Sequence, residues 1–129
     1  MALPVGVLVL CGAVFAHHGS ASYKSEKVVV LKEATVTRFL WANPHAMVLF
    51  DVKDEQGNTA HWAGEAGSPA AIRPLGWSKN SVRPGDVITV QVYPSKFESD
   101  VGRVVKIVFA DGSTLKNSPR TDRGEISRY

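Results

Sequence analysis

Apolar and polar residues alternate over most of the chain after residue 26, which is the period-two pattern of β-strands. The run "KVVVLKEATVTRFLW" is rich in Val, Thr and aromatic residues, but it is long for one strand and its alternation slips between Val36 and Phe39. A bulge produces such a slip, because it adds one residue to a strand and bends it. We therefore predict one long, bent strand that serves two halves of a barrel.

A β-hairpin is expected next. Apolar and polar residues alternate in "AMVLFDV", the segment "DEQGN" has the composition of a turn, and the alternation returns in "TAHWAGE". The residues predicted on its core face are Val48, Phe50, Val52 and Trp62.

A short helix is predicted after this hairpin. Ser68 is a suitable N-cap and Pro69 fits the first helical position, where a backbone N–H has no partner within the helix. Pro74 and Gly76 would end the segment after about two turns. Two further strands are expected in the segments "VITVQVY" and "GRVVKIVFADG".

This order of elements predicts an all-β fold with one short helix. The order β-β-β-α-β-β is that of a five-stranded OB-like Greek-key barrel, whose closed sheet solves the problem of exposed strand edges. A small β-sandwich is the alternative. A chain of 129 residues fits one compact domain, and we expect the barrel to occupy residues 27–116.

Residues 1–16 contain no charged side chain, and the apolar run is too short to span a bilayer, which needs about 20 residues. The run matches the apolar and cleavage regions of a secretory signal, with Val14 and Ala16 at the positions that signal peptidase reads. A basic leader is missing, which suggests that the true start codon lies upstream. A buried amino-terminal strand or helix is the alternative, whereas a lipoprotein signal at Cys11 is disfavoured because Leu10 precedes it.

Cleavage after Ala16 would place the protein in the periplasm or outside the cell, with no transmembrane segment left. The mature chain would then begin with a flexible arm at residues 17–26 and end with a disordered polar tail at residues 117–129. Its single cysteine, Cys11, would be lost with the signal, which excludes disulfides and thiolate sites. The net charge of +3 comes from scattered lysines and arginines, so nucleic acid is not an expected partner.

Two adjacent histidines, His17 and His18, would stand at the new amino terminus. The α-amine and imidazole of His17 can hold one metal ion together, and His18 can add another nitrogen ligand. Nitrogen ligands in a flat arrangement favour Cu(II), and this amine-plus-imidazole clamp resembles the histidine brace of exported copper proteins. The alternative is that both histidines are merely solvated residues of the flexible arm.

A second candidate cluster follows from strand parity. With "DEQGN" as the turn, Glu65 is expected opposite or one diagonal from His45, on the face that also carries Met47. Glu65 would orient the His45 imidazole as a further metal ligand or raise its basicity, with Met47 as a neighbour of the site. The alternative is a surface ion pair, and His61 is expected too far along the hairpin to join.

Two tryptophans and the absence of known catalytic motifs also bear on the predicted function. Trp41 and Trp77 are candidates for lining a ligand cleft, although large side chains also plug the ends of small barrels. The chain contains no G-x-S-x-G, no H-E-x-x-H, no phosphate-binding glycine loop and no paired cysteine motif. Nothing in the sequence requires an enzyme.

The segments "AHHGS", "LKEATVTRFLWANPH", "HWAGEAGSP", "LGW" and "VRPGDVITV" together resemble a family of short exported bacterial proteins of uncharacterised function. Its most specific features are the paired histidines, W-x-N-P-H at residues 41–45 and W-x-x-E at residues 62–65. The chain departs from that pattern at Ala34, where glycine is common, and in the longer "KFESD" segment. The resemblance implies export and a small barrel, and it implies no reaction.

Three functions from different classes remain. The first is a periplasmic protein that binds copper or another divalent metal through His17, His18 and His45. The second is a binding barrel for a small ligand, such as a saccharide, or for an envelope protein, with Trp41 and Trp77 at the ligand. The third is an enzyme built on His45 and Glu65, for which no nucleophile is found. We favour the first.

Overall fold

The computed structural model of the protein describes residues 19–119, which form six strands, one α-helix and two short 3-10 turns. The strands are β1 (Val29–Leu40), β2 (Met47–Lys53), β3 (Thr59–Glu65), β4 (Val87–Pro94), β5 (Val101–Phe109) and β6 (Thr114–Lys116). The helix α1 (Pro69–Ile72) lies between β3 and β4. The 3-10 turns are Ser20–Ser22 and Arg73–Leu75.

The sheet closes into a barrel. Its strand order is β3-β2-β1-β4-β5-β6 with antiparallel neighbours, and a parallel pairing between β3 and β5 joins the first five strands into a ring. This is the closure of an OB-like barrel with its helix after the third strand. The predicted all-β barrel with one short helix is therefore confirmed, and the alternative of a β-sandwich is wrong.

Strand β1 is the long, bent strand that its pattern predicts. Its pairing with β2 shifts register between Val36 and Arg38, and its pairing with β4 shifts between Leu31 and Ala34. Glu33 lies in the second irregularity with φ 53°, a conformation that favours glycine. The two shifts bend β1, so that one end of it pairs with β4 and the other with β2.

The β2–β3 hairpin matches the prediction in both register and turn. Its turn spans residues 54–58, where the Asp54 carboxylate accepts hydrogen bonds from the backbone N–H groups of Gln56 and Asn58. The predicted core side chains Val48, Phe50 and Val52 are buried, and Trp62 is partly buried and stacks on Phe50.

Two glycines lie where β5 packs closely against its neighbours β3 and β4. Gly64 and Gly102 are register partners in the parallel pairing. A Cβ on Gly102 would lie 2.8 Å from the Val92 Cβ, and one on Gly64 would lie 2.9 Å from the Val104 Cγ2. Both distances are shorter than carbon atoms tolerate, so neither position has room for a side chain: Gly64 permits the approach of β3 to β5, and Gly102 that of β5 to β4.

The short helix begins and ends at the residues that the sequence indicates. The Ser68 side chain accepts from the Ala71 N–H, Pro69 occupies the first helical position, and Gly76 ends the following turn with φ 95°. Within the described 19–119 stretch, no helix combines the length and apolar character needed to cross a membrane.

The carboxyl-terminal boundary differs from the prediction. Strand β6 is not among the predicted elements, and Asn117, which belongs to the predicted polar tail, is bound to the barrel. Its Oδ1 accepts from the Gly67 N–H at 2.7 Å, and its own N–H donates to the Val105 carbonyl. A three-residue strand has too little periodicity to stand out in the sequence. Residues 120–129 of the predicted tail lie outside the described residues.

Candidate functional site

The amino-terminal arm is attached to the barrel where β4 ends. Tyr23 forms a backbone bridge with Ser95, the Lys24 N–H donates to the Pro94 carbonyl, and the Lys96 N–H donates to the Ser22 carbonyl. A flexible arm is predicted over residues 17–26, but Ser22, Tyr23 and Lys24 are bonded to the barrel. Tertiary contacts fix this part of the arm, because it contributes an aromatic ring that is buried against the barrel.

That ring belongs to Tyr23, whose residue surface is only 5% exposed. Its hydroxyl donates a hydrogen bond of 2.7 Å to Oε2 of Glu65. Burial raises the pKa of Tyr23, and the hydrogen bond to the Glu65 carboxylate and its negative charge raise that pKa further. Tyr23 therefore keeps its proton at neutral pH and acts as a donor to Glu65.

Glu65 is the last residue of β3 and lies between two neighbouring strands. Its register partner on β2 is Met47, and its register partner on β5 is Arg103. The carboxylate has a proton donor on one oxygen, because Tyr23 binds Oε2. Its other oxygen, Oε1, is directed to a histidine.

That histidine is His45, at the end of the loop between β1 and β2. Its Nε2 lies 3.5 Å from Oε1 of Glu65, and the two side chains are 41% and 19% exposed. The neighbouring Ala46 donates its N–H to the Gly67 carbonyl and accepts from the Ala66 N–H, which holds the segment carrying His45 against the chain after Glu65. The structure thus brings together the two side chains that strand parity places near each other.

The second ring nitrogen of His45 has no partner among residues 19–119. Nδ1 is buried and makes no hydrogen bond within this described part of the chain. Buried polar atoms in proteins are almost always paired, and an exception calls for an explanation such as a bound ion. His45 therefore has one nitrogen directed to a carboxylate and one nitrogen to which no described residue is bonded.

The other histidine of the hairpin forms a separate pair. His61 Nδ1 lies 2.7 Å from Oδ1 of Asp51, its register partner on β2, and the two side chains are 79% and 33% exposed. Four residue pairs separate it from Glu65, or roughly 13 Å along the strand. His61 and Asp51 therefore take no part in the cluster around His45.

A shallow pocket lies beside the His61–Asp51 pair. Its volume is about 440 Å³, within the range of small-ligand sites. The residues that line it are Thr37, Leu49, Phe50, Asp51, His61, Trp62 and Ala63.

The two tryptophans singled out in the sequence pack in the barrel. Trp77 is buried, and its Nε1 donates to the Lys116 carbonyl at 2.8 Å. Trp41 is partly buried, and its ring lies 6.0 Å from that of Phe39, which in turn lies 6.2 Å from the ring of Trp77. These positions match the packing alternative considered for both residues, and Trp77 presents almost no surface to a ligand.

His17 and His18, the predicted metal ligands of the amino terminus, lie outside the described residues. Among residues 19–119, no group of three or more His, Cys, Asp or Glu side chains is arranged to hold a metal ion. The barrel on its own therefore offers His45 and Glu65 but too few ligands. The described part of the chain begins at Gly19, the residue that follows His18 in the sequence.

The family of this chain can now be stated. The sequence profile of a family of unknown function, DUF6152, matches residues 6–104. The chain belongs to this family. The matched range contains His17, His18, Tyr23, His45 and Glu65, so the whole cluster and the arm lie within the part shared with the DUF6152 family. No curated protein and no solved structure matches the chain.

Sequence reasoning missed Tyr23 and Arg103. Tyr23 is the only aromatic residue in the polar stretch "HHGSASYKSEK", and a lone aromatic in such a stretch is a signal for docking onto a folded domain. Arg103 could be placed beside Glu65 only after the parallel pairing of β3 with β5 was known.

Proposed function

We propose that this protein is exported to the periplasm and binds copper, or another divalent metal, through His17, His18 and His45. Cleavage after Ala16 would supply the α-amine of His17 as a further nitrogen ligand. Glu65 then acts on the metal through His45, by orienting its imidazole. The protein needs no catalytic group for this role.

The observation that carries the proposal is the hydrogen bond from Tyr23 to Glu65. It ties the arm to the carboxylate that faces His45, and His18 precedes Tyr23 by only five residues. A fully extended chain of five residues spans at most about 18 Å, which sets the reach of the arm from Tyr23.

The donor chemistry supports copper in particular. Imidazole and amine nitrogens are good ligands for Cu(II), which also binds a given set of nitrogen donors more tightly than other divalent ions of its series. The thioether of Met47, the β2 neighbour of Glu65, adds a soft donor to the same end of the hairpin. The Nδ1 atom of His45, which no residue of the described 19–119 range binds, is a nitrogen that a metal ion would satisfy.

The test starts from protein recovered from the periplasm of an expressing cell. We expect its amino-terminal sequence to begin at His17 and its metal content to include copper after exposure to Cu(II). A variant that lacks His17 and His18, so that the mature chain begins at Gly19, should bind Cu(II) at least about tenfold more weakly. Equal affinity of the two forms, or a mature chain that begins elsewhere and ignores copper, would contradict the proposal.

A second candidate function rests on the pocket beside His61 and Asp51. Its volume suits a small ligand, and it lies away from the cluster around His45. In this account the barrel binds a small molecule or an envelope partner without a metal. Chemical-shift changes confined to Leu49, His61 and Ala63 on addition of a candidate ligand, with no dependence on His17, would favour it over metal binding.

A further inference from the structure

We propose that the open edge of strand β3 at Thr59 and His61 is a docking site for an extended peptide strand with alternating apolar and basic side chains. The proposal concerns a partner of the barrel and stands independently of metal binding. It rests on the direction of the backbone groups of β3, on the burial of its side chains and on the charge around this edge.

The backbone groups of alternate residues of β3 point away from β2. Ala63 donates its N–H to the Asp100 carbonyl, on the side of β3 that faces β5. The pairing of β3 with β2 runs without a register shift, so Thr59 and His61 direct their N–H and C=O groups to the same side as Ala63. Thr59 and His61 each present one donor and one acceptor along this edge.

No strand of the described part of the chain pairs with this edge. Strand β5 meets β3 only at residues 63–65. It cannot continue along β3 towards His61, because the Ser95 N–H donates to the Val101 carbonyl and the chain turns back into β4 there. Within residues 19–119, no backbone hydrogen bond therefore reaches Thr59 or His61 from this side.

The inward-facing side chains of this part of β3 are less buried than those beside them on β2. Trp62 and Ala60 are only partly buried. Their register partners, Phe50 and Val52, are buried, and so is Gly64, where β5 covers β3. A strand added at this edge would remove apolar surface of Trp62 and Ala60 from water, which favours binding.

The side chains around this edge are mostly acidic, although the whole chain carries a net charge of +3. Segments 51–61 and 96–100 contain five acidic side chains and two basic ones, Lys53 and Lys96. The acidic residues are Asp51, Asp54, Glu55, Glu98 and Asp100. This local excess of negative charge attracts basic side chains and repels acidic ones.

These features specify the partner. A strand added to a sheet edge binds through its backbone, and its side chains alternate between the two faces of the sheet. On the inner face they would cover Trp62 and Ala60, which favours apolar residues. On the outer face they would lie beside His61 and Asp51, which favours lysine or arginine. The partner is therefore an extended segment in which apolar and basic residues alternate.

The experiment follows the solvent exchange of the Thr59 and His61 amide protons by nuclear magnetic resonance in the metal-free protein. The probe is the blocked peptide Lys-Val-Lys-Val-Lys. One control peptide, Glu-Val-Glu-Val-Glu, reverses the charge, and the other is the probe with methylated backbone nitrogens, which lacks N–H donors. At a saturating concentration of the probe, we expect both amide protons to exchange at least about tenfold more slowly. Neither control peptide should slow them.

Thr59→Pro tests the edge from the side of the protein. Proline is tolerated on an edge strand where its missing N–H would face away from the sheet. Thr59→Val is the matched control, because both changes remove the hydroxyl that accepts from Lys53 Nζ, but valine keeps the backbone N–H. We expect Thr59→Pro to bind the probe at least about tenfold more weakly than Thr59→Val does. If Thr59→Pro does not fold, the control peptides decide the question on the wild type.

Three results would overturn the proposal. Slow exchange of the Thr59 and His61 amides without peptide would mean that the edge is already covered. Equal binding of the probe and either control peptide, or of the probe to both folded variants, would mean that binding does not use the edge and its charge. Shifts confined to Leu49 and Ala63 would place the peptide in the pocket instead.

Discussion

Two histidine–carboxylate pairs lie along the β2–β3 hairpin, and they differ in distance, exposure and surroundings. The pair with the shorter distance, His61 and Asp51 at 2.7 Å, is largely exposed to solvent. The pair with the longer distance, His45 and Glu65 at 3.5 Å, is less exposed and has a buried ring nitrogen to which no described residue is bonded. An exposed ion pair contributes about 0–1 kcal/mol, so a short distance alone does not indicate a site.

The difference arises from how the barrel closes. Strand β3 is paired on both sides only at its carboxyl-terminal end, where Ala63, Gly64 and Glu65 also meet β5. The arm packs at that same end through Tyr23. Strand β5 does not pair with β3 at His61, because the pairing of the two strands begins two residues later, at Ala63. Closure of the barrel and docking of the arm therefore turn one of two similar pairs into a candidate site.

The largest expected effect comes from crowding β5 against β4 at Gly102, the residue that pairs with Gly64 where the barrel closes. In Gly102→Ala the new Cβ would lie 2.8 Å from the Val92 Cβ, and a β-branched neighbour in a closed barrel cannot move away freely. We expect a loss of about 2–3 kcal/mol in the free energy of unfolding, measured by urea denaturation. The His45 signals should shift in nuclear magnetic resonance spectra, while those of His61 stay in place.

The control for this change is Gly57→Ala in the hairpin turn. Gly57 has φ 81° and open space around it, so an added methyl group meets no atom and only the backbone conformation is penalised. We expect a loss of about 1 kcal/mol, and His61 rather than His45 should respond. A Gly102→Ala variant as stable as Gly57→Ala would show that the strands are not tightly packed around Gly102.

The next largest effect is expected from removing the Tyr23 hydroxyl while the rest of the arm stays unchanged. Tyr23→Phe removes a hydrogen bond to a partly buried carboxylate, and we expect it to lower the free energy of unfolding by about 2 kcal/mol at neutral pH. The pKa of Tyr23 is higher in the folded protein than its ordinary value of about 10. Its contribution is therefore complete below pH 10 and is lost as the pH rises towards the folded-state pKa.

Urea denaturation of both proteins from pH 7 to pH 11 checks this expectation. The stability difference between wild type and Tyr23→Phe should be constant up to about pH 9.5 and should narrow above pH 10. A difference that is absent at pH 7, or one that grows above pH 10, would contradict the assignment of Tyr23 as the donor.

The smallest effect is expected at the exposed pair. Asp51→Asn removes the charge that faces His61, and we expect the free energy of unfolding to change by less than about 1 kcal/mol. Raising the salt concentration should reduce even this change, because exposed charges are screened. A loss above 2 kcal/mol, measured by thermal unfolding at low salt, would mean that the two pairs are not as different as their exposure indicates.

Local patterns predicted much of the fold and one contact of the candidate site. The hairpin register follows from alternation around the turn at residues 54–58, and this register is what places His45 near Glu65. The helix boundaries follow from Ser68 and Gly76, whose preferences are local. In each case the interaction that decides the structure lies within a short stretch of chain.

The contacts that could not be predicted join distant parts of the chain. Tyr23 and Glu65 are separated by 42 positions, and Asn117 and Gly67 by 50. Neither Tyr23 nor Asn117 belongs to a periodic pattern, so each was assigned to a segment expected to be flexible. Their positions depend on which strand edges the closed barrel presents, and that information exists only in the folded protein.

The most direct test of the central claim compares copper binding by two single variants of the mature protein, His45→Gln and His61→Gln. Both changes replace a histidine that faces a carboxylate of the same hairpin, and the two histidines lie at different ends of that hairpin. We predict that His45→Gln weakens Cu(II) binding at least about tenfold, while His61→Gln binds as the wild type does. Equal affinities of the two variants would contradict the account, because the cluster around His45 would then have no special role in holding the metal.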